Sequence, residues 1–320
     1  MEKAARLLAD IGGTNARFAW QDDADAPLTD VRSYPVRDHP SLELALRRYL
    51  ADLQRTAPPW CAIGIANPIT GDRVQMTNHA WSFSIAGLRR ALGFARLEVV
   101  NDFTALALAL PVLAPDQLRQ VGGVAAVPET PIGLVGPGTG LGVSGLLPVP
   151  GLDRWVPLQG EGGHVTLSPT TERENAVLLA LHRRFGHASA ERAVSGPGLV
   201  SLVETLCRLD GKPAPAGLTG ALVTRSAIAA HDAHSVEALE MFFGFLGCVA
   251  GNLALTLGAR GGIYVGGGIV PQIADALERS DFRARFEAKG RFAPYLAAIP
   301  VFVIQSPTSP ALLGASRALL

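Results

Sequence analysis

A glycine-rich turn between two short apolar runs constrains this chain more than any other feature, and it occurs twice. From Leu7 to Trp20 the sequence LLADIGGTNARFAW runs through apolar residues to Asp10, turns at Gly12 and Gly13, and resumes with Ala16, Phe18 and Trp20 spaced by two. The pattern predicts a strand, a tight turn and a returning strand. About 125 residues further on, Ile132 to Val135 leads into GPGTGLG at 136 to 142, and an apolar run resumes through Val149. The hairpin is repeated. Bare of Cβ atoms, such turns let backbone N–H groups converge on an anion, while Thr14 and Asn15 add side-chain donors and Arg17 a cation. A phosphate suits the loop, and Asp10 at the strand end suits the divalent metal that accompanies a phosphate. An ordinary β-hairpin accounts for the same residues, and the turn alone leaves both readings open.

What lies between the turns sets the fold class. Val31 to Val36 can supply a third strand, and Ser41 opens a helix with Leu42, Leu46, Tyr49, Leu50 and Leu53 on one face. Cys61 to Ala66 is a short apolar strand, residues 72 to 78 another ending at Asn78, Ile85 to Leu92 a helix stopped by Gly93, and Leu97 to Val100 a strand. Hairpin strands followed by helix–strand alternation predict an α/β fold with mixed sheets flanked by helices. At 320 residues the chain is long enough for two domains with a cleft between them, and Pro111, Pro115 and the polar run Asp116 to Gln120 mark the boundary.

Composition narrows the function. With 28 basic and 28 acidic residues and no basic run, nucleic acid is not an expected partner. Cys61, Cys207 and Cys248 are far apart and form no C-x-x-C pair, which reads as reduced core cysteines of a cytoplasmic protein. The apolar stretch before Asp10 is too short for the core of a signal peptide. Met241 to Ala259 carries no charge over a length that could span a bilayer, but Asn252, Thr256 and Gly244, Gly247, Gly251 and Gly258 dilute it and a strand follows at 263. It is expected to be a buried helix, with no membrane partner.

Five further places invite a chemical reading. Asn101 and Asp102 end a strand just before a helix expected near Thr104, where α/β sheets place ligand groups, although taken alone the Asp102 carboxylate reads more readily as a capping residue. Gly140 to Gly145 matches G-x-G-x-x-G, but a strand rather than a helix follows, so the dinucleotide reading fails. Glu161 and His164 in GEGGHV suit sugar hydroxyls better than a metal, because two intervening glycines oppose the helix that would bring both side chains to one ion. Glu191, in a short helical piece around 189 to 193, reads as a surface residue. Gly266, Gly267 and Gly268 follow a strand and precede a helix near Pro271; a flat adenosine ring or a close helix–strand crossing would both use them.

Taken in order, the stretches DIGGTNARFA, PITGDRVQMTNHAWSFSI, LEVVNDFTALALALP, GPGTGLGV, GEGGHV, SAERAVSGPGLV, GGIYVGGGIVP and KGRFAPYLAAIPV resemble the actin, Hsp70 and sugar-kinase superfamily of two-domain ATPases. Within it the resemblance is to bacterial glucokinases of the hexokinase-like, non-ROK type, nearly end to end. The family's ribonuclease-H-like fold implies a small domain of residues 1–110 plus 305–320 and a large domain of 111–304. It implies Asp102 as the general base for the sugar 6-hydroxyl, with Asn101, Glu161, His164 and Glu191 holding the other hydroxyls. Gly12, Gly13, Thr14 and Asn15, with Gly138 and Thr139, would cradle the phosphates of ATP; Gly266 to Gly268 would contact adenosine, and Asp10 would organise Mg²⁺. The ROK relatives' zinc-binding Cys cluster is absent, as is room for a DNA-binding helix-turn-helix before Leu7. The implied activity is phosphorylation of D-glucose to glucose 6-phosphate by a cytoplasmic homodimer. A sugar-sensing regulator on the same fold, or a kinase for another close hexose, is the alternative. Because a sugar hydroxyl is a poor acid, Asp102 is not required to have a raised pKa.

Overall fold

The first hairpin sits at the centre of a sheet. In the computed structural model, which describes residues 4–76, 79–152, 154–306 and 308–320, strand β1 (Arg6–Ile11) pairs antiparallel with β2 (Asn15–Gln21). Asn78, where the sequence suggests a strand end, lies outside the described residues. The chain divides into two compact units, 1–114 with 306–320, and 115–305.

In the first unit β2 pairs with β3 (Thr29–Pro35), and β1 runs parallel to β4 (Trp60–Ile65), which runs parallel to β7 (Arg96–Asn101), giving the order β3-β2-β1-β4-β7. β1 is buried along its whole length, as expected of a strand covered on both faces. One cover is the helix Leu42–Asp52, whose Ser41 Oγ accepts the Leu44 N–H and whose stripe Leu42, Ala45, Leu46, Tyr49 and Leu50 is buried. On the other side Leu312, Ala315 and Leu319 pack on Leu8, Ala19 and Ala62. Leu312 and Ala315 belong to the terminal helix Pro310–Arg317, which also lies against the helix Asp102–Ala109. A Cβ on Gly314 would overlap the Ala105 carbonyl oxygen, so this crossing needs a glycine. Among the described residues of the 72-to-78 region only the short β5 (Arg73–Gln75) forms, paired with β6 (Ser82–Ser84) in a separate two-stranded sheet.

The second unit repeats the plan. β9 (Ile132–Pro137) and β10 (Leu141–Pro148) form the second hairpin, β10 pairs antiparallel with β11 (Trp155–Gln159), and β9, β12 (Ile263–Val265) and β13 (Val301–Ile304) run parallel. The order is β11-β10-β9-β12-β13-β8, the first sheet's arrangement with one strand added. That strand, β8 (Leu118–Gln120), occupies the polar segment expected to be a linker. The apolar helix is Ala233–Leu257, long and apolar enough to cross a membrane by length and composition, with 78% of its apolar window buried inside the unit. Its glycines have a packing role. A Cβ on Gly247 or Gly251 would overlap the carbonyl oxygen of Phe282 or Phe286, so they admit the helix Phe282–Glu287 at close range.

Candidate active site

In the first unit the C-terminal ends of three parallel strands bring the candidate residues together. Ile11 is level with Ile65, and Ile65 with Asn101, so the turn 12–15, the segment after β4 and the residues Asn101 and Asp102 share one sheet edge. The turn is closed by the Gly12 N–H donating to Asn15 O at 3.0 Å and anchored by the Val36 N–H on Thr14 O at 2.9 Å. Gly12 has no positive φ, and a Cβ there would meet only Asn15 O at 3.6 Å. The fold itself therefore makes little demand for glycine at this position, in keeping with a surface left clear for close approach.

Asn101 is the helix cap, and this corrects the expected start near Thr104. Its Oδ1 accepts the N–H groups of Phe103 and Thr104 at 2.9 and 3.3 Å, and the helix begins at Asp102. Its amide donates to Asp102 Oδ1 at 3.0 Å and lies 3.5 Å from Asn67 O. The Phe103 N–H also donates to Asp102 Oδ1, at 2.9 Å. Both bonds to the carboxylate thus go to Oδ1, and Oδ2 takes neither. Burial pushes the Asp102 carboxyl above the ordinary carboxylate value and the nearby Asp10 charge adds to this, against the Phe103 and Asn101 donors that hold it down. The chemistry does not require a raised pKa, and desolvation raises it all the same.

Asp10 is buried and pairs with Arg17, its cross-strand partner in the hairpin. Arg17 Nη1 lies 3.2 Å from Asp10 Oδ2, and Ser309 Oγ donates to the same oxygen at 2.7 Å. Arg17, read from the sequence as a cation for the phosphate, has one guanidinium nitrogen engaged by this carboxylate.

In the second unit the turn between β9 and β10 opens onto a cavity of about 1040 Å³. Gly138 and Thr139 line it together with Gly268, two helix starts at Gly196 and Gly220, and the apolar side chains of Phe185, Val200, Leu218 and Ile269. The two helix starts are in contact: a Cβ on Gly220 would come within 2.8 Å of Gly196 Cα. Helix N-termini present unpaired N–H groups and favour anions. The glycine triplet divides its work. Gly267 has φ of 80° and its Cβ would overlap the Pro137 carbonyl oxygen, whereas a Cβ on Gly268 would meet nothing within 4 Å. Gly266 donates its N–H to Val135 O at 2.8 Å, and neither it nor Gly267 lines the cavity. The close crossing and the open ligand wall are both present, at different glycines.

Glu161 and His164 flank a single 3₁₀ turn, Gly162–His164, where no helix was expected. Both side chains are exposed and, among the described residues, neither has a hydrogen-bond partner. Glu191 lies beside them on a second 3₁₀ turn, Ala190–Arg192. The two segments are laced by the Ala190 N–H on Val165 O at 2.9 Å and the Leu167 N–H on Ala188 O at 3.0 Å. Glu191 is half-buried rather than a surface residue. Ser195 and Thr219 cap the helices that begin at Gly196 and Gly220, and nothing local in the sequence signals that both meet one cavity.

Two mixed sheets, each built on a glycine-turned hairpin, give the fold of the actin-like sugar kinases. The structure superposes on a glucokinase from an Antarctic psychrotroph with a TM-score of 0.90 at 33% identity, covering 100% of this chain and 99% of that one. The family model for glucokinase matches residues 7–320. The chain belongs to the glucokinase family, in its bacterial, non-ROK branch. It is 54% identical over 316 residues to the glucokinase of Aromatoleum aromaticum, covering 98% of this chain and 94% of that protein. It is 52% identical over 314 residues to the bifunctional protein glk of Burkholderia thailandensis, and there it spans only 48% of the relative's length.

Proposed function

We propose that this kinase transfers the γ-phosphoryl group of ATP to the 6-hydroxyl of D-glucose. Family membership supports the reaction, and the observation that carries the mechanism is the Asp102 carboxylate, pinned through Oδ1 with Oδ2 outside those bonds. Phosphoryl transfer asks a protein for alignment and charge compensation. Asp102 Oδ2 orients the sugar hydroxyl and takes its proton as the new P–O bond forms. Asn101, fixed by its capping bonds, contributes its amide, while Glu161, His164 and Glu191 hold the remaining hydroxyls. The turn of Gly12, Gly13, Thr14 and Asn15 and the turn of Gly138 and Thr139 each present donors to the phosphates, the Gly12 and Gly138 N–H groups serving to close the turns. The cavity takes adenosine against Gly268.

Mg²⁺ is proposed to accompany the nucleotide. Among the described residues no cluster of three His, Cys, Asp or Glu groups is formed to hold an ion by itself. A phosphate-borne Mg²⁺ needs only one or two carboxylates, and Asp10 fits, since its two bonds both fall on Oδ2 and leave Oδ1 for the ion or its water. Bound there, the ion would neutralise charge on the phosphate oxygens. Buried, unpaired Cys61, Cys207 and Cys248 suit the reducing cytoplasm, and the proposed assembly is the homodimer that the resemblance implies.

The test is to incubate the chain with Mg-ATP and glucose carrying ¹³C at C6. The expected product shows ¹³C–³¹P coupling at C6 with equal ADP; ADP and free phosphate with unchanged glucose would overturn the reading.

A further inference from the structure

Glu191 does something that holding a sugar hydroxyl does not explain. Its Oε2 accepts the backbone N–H of Leu141 at 2.9 Å, at the end of the second glycine-rich turn. A Cβ on Gly140 would overlap that same oxygen, so any other residue at 140 would make the carboxylate shift from its place on Leu141. Five residues after Glu191, the Gly196 N–H donates to Gly138 O at 2.8 Å, at the start of the turn, and the Gly138 N–H closes the turn on Gly140 O at 2.8 Å. Ser195 makes the connecting piece rigid, donating through Oγ to Glu191 O at 2.7 Å and accepting the Gly198 N–H at 2.9 Å. The loop bearing Glu161 and His164 reaches the same point from the other side, because a Cβ on Gly163 would overlap the Leu141 carbonyl oxygen. Leu141 is therefore the joint at which the phosphate turn, the 161–164 loop and Glu191 meet.

We propose that Glu191 is a positioning residue for the nucleotide: its carboxylate, through the Leu141 N–H, holds the 138–141 turn in the shape that binds phosphate. The inference rests on the proposed binding of ATP phosphates by Gly138 and Thr139. Two effects of the carboxylate oppose each other. Its negative charge disfavours a nearby phosphate, and its bond to Leu141 preorganises the donors that bind one. A hydrogen bond to a charged group is the stronger of the two where the charges are separated by a solvated turn. Removing Glu191 therefore weakens nucleotide binding, whereas a purely repulsive carboxylate would give the opposite sign.

The experiment is calorimetric titration of the full chain with Mg-ADP, without sugar. Glu191→Ala should weaken binding about tenfold. Glu191→Gln retains an oxygen acceptor for Leu141 and should stay within about twofold of wild type, although its sugar contacts change. Gly140→Ala keeps the carboxylate but displaces it, and should resemble Glu191→Ala. Amide hydrogen exchange supplies a reading that needs no variant: the Leu141 N–H should be protected in the wild-type chain. Wild-type affinity in both Glu191→Ala and Gly140→Ala, tighter binding in Glu191→Ala, or an unprotected Leu141 amide would overturn the proposal. A wild-type chain that does not bind Mg-ADP would instead count against the nucleotide site itself.

Discussion

Replacing Asp102 with Asn is the sharpest perturbation of the proposed chemistry, because the structure says what it keeps. The Asn oxygen can occupy the place of Oδ1 and accept the Phe103 N–H and the Asn101 amide, at present 2.9 and 3.0 Å from it. The new NH₂ then replaces Oδ2, the atom assigned to the proton. Geometry is preserved and the acceptor is lost. General-base catalysis contributes about 10²–10⁴-fold, or about 3 to 5 kcal/mol of barrier at roughly 1.4 kcal/mol per decade. Steady-state assays with coupled detection of ADP should therefore show kcat down at least about a hundredfold, with KM for glucose changed only a few-fold. Thermal unfolding at neutral pH should not fall, since a half-buried, desolvated charge has been removed. A variant keeping more than about one per cent of wild-type kcat, or one whose loss lies wholly in KM, would refute the assignment of the base.

Three further expectations follow from particular residues. The raised Asp102 pKa places the acid limb of kcat/KM above the ordinary carboxylate value, falling as the base is protonated. Ionising the group also costs stability: the penalty is absent below the unfolded value, grows between the unfolded and folded values and is full above them, so Asp102→Asn should gain Tm over wild type at neutral but not at strongly acid pH. Gly268→Val should raise KM for ATP several-fold with Tm unchanged, because its side chain enters the open cavity wall. Gly267→Ala should instead lower Tm, a positive φ alone costing about 1–2 kcal/mol before the overlap with Pro137 is counted. In the second unit Glu174 is buried with Arg285 Nη1 2.6 Å from its Oε1, so Arg285→Met should destabilise by about 3–5 kcal/mol in denaturant unfolding. Burial alone would raise the Glu174 pKa, but the Arg285 hydrogen bonds bring it below the ordinary value, so this stability is present above the unfolded value and lost as pH falls through the folded one.

The parts of this fold that local chemistry specifies were readable from residues alone. Both hairpins declare themselves through a glycine turn between apolar runs, and Ser41, read as the opening of a helix, accepts the N–H group of Leu44. Elements held by distant partners were not. β11 contains Pro157 and pairs with the preceding strand after a turn without alternation, and the helix Phe282–Glu287 has no side-chain cap bond and is defined by the glycines of another helix. The candidate site divides in the same way. Asp102 was legible at a strand end, but the capping role of its neighbour Asn101 needs coordinates. Glu191 looked like surface because its partner, the Leu141 N–H, is fifty residues away in sequence.

The most direct measurement is ADP formation from Mg-ATP with glucose, mannose, fructose, glucosamine and no sugar, side by side. The account predicts fast turnover with glucose and little without sugar. ATP hydrolysis at one rate across all five would contradict it, since a kinase built around a sugar hydroxyl has no reason to be indifferent to the sugar.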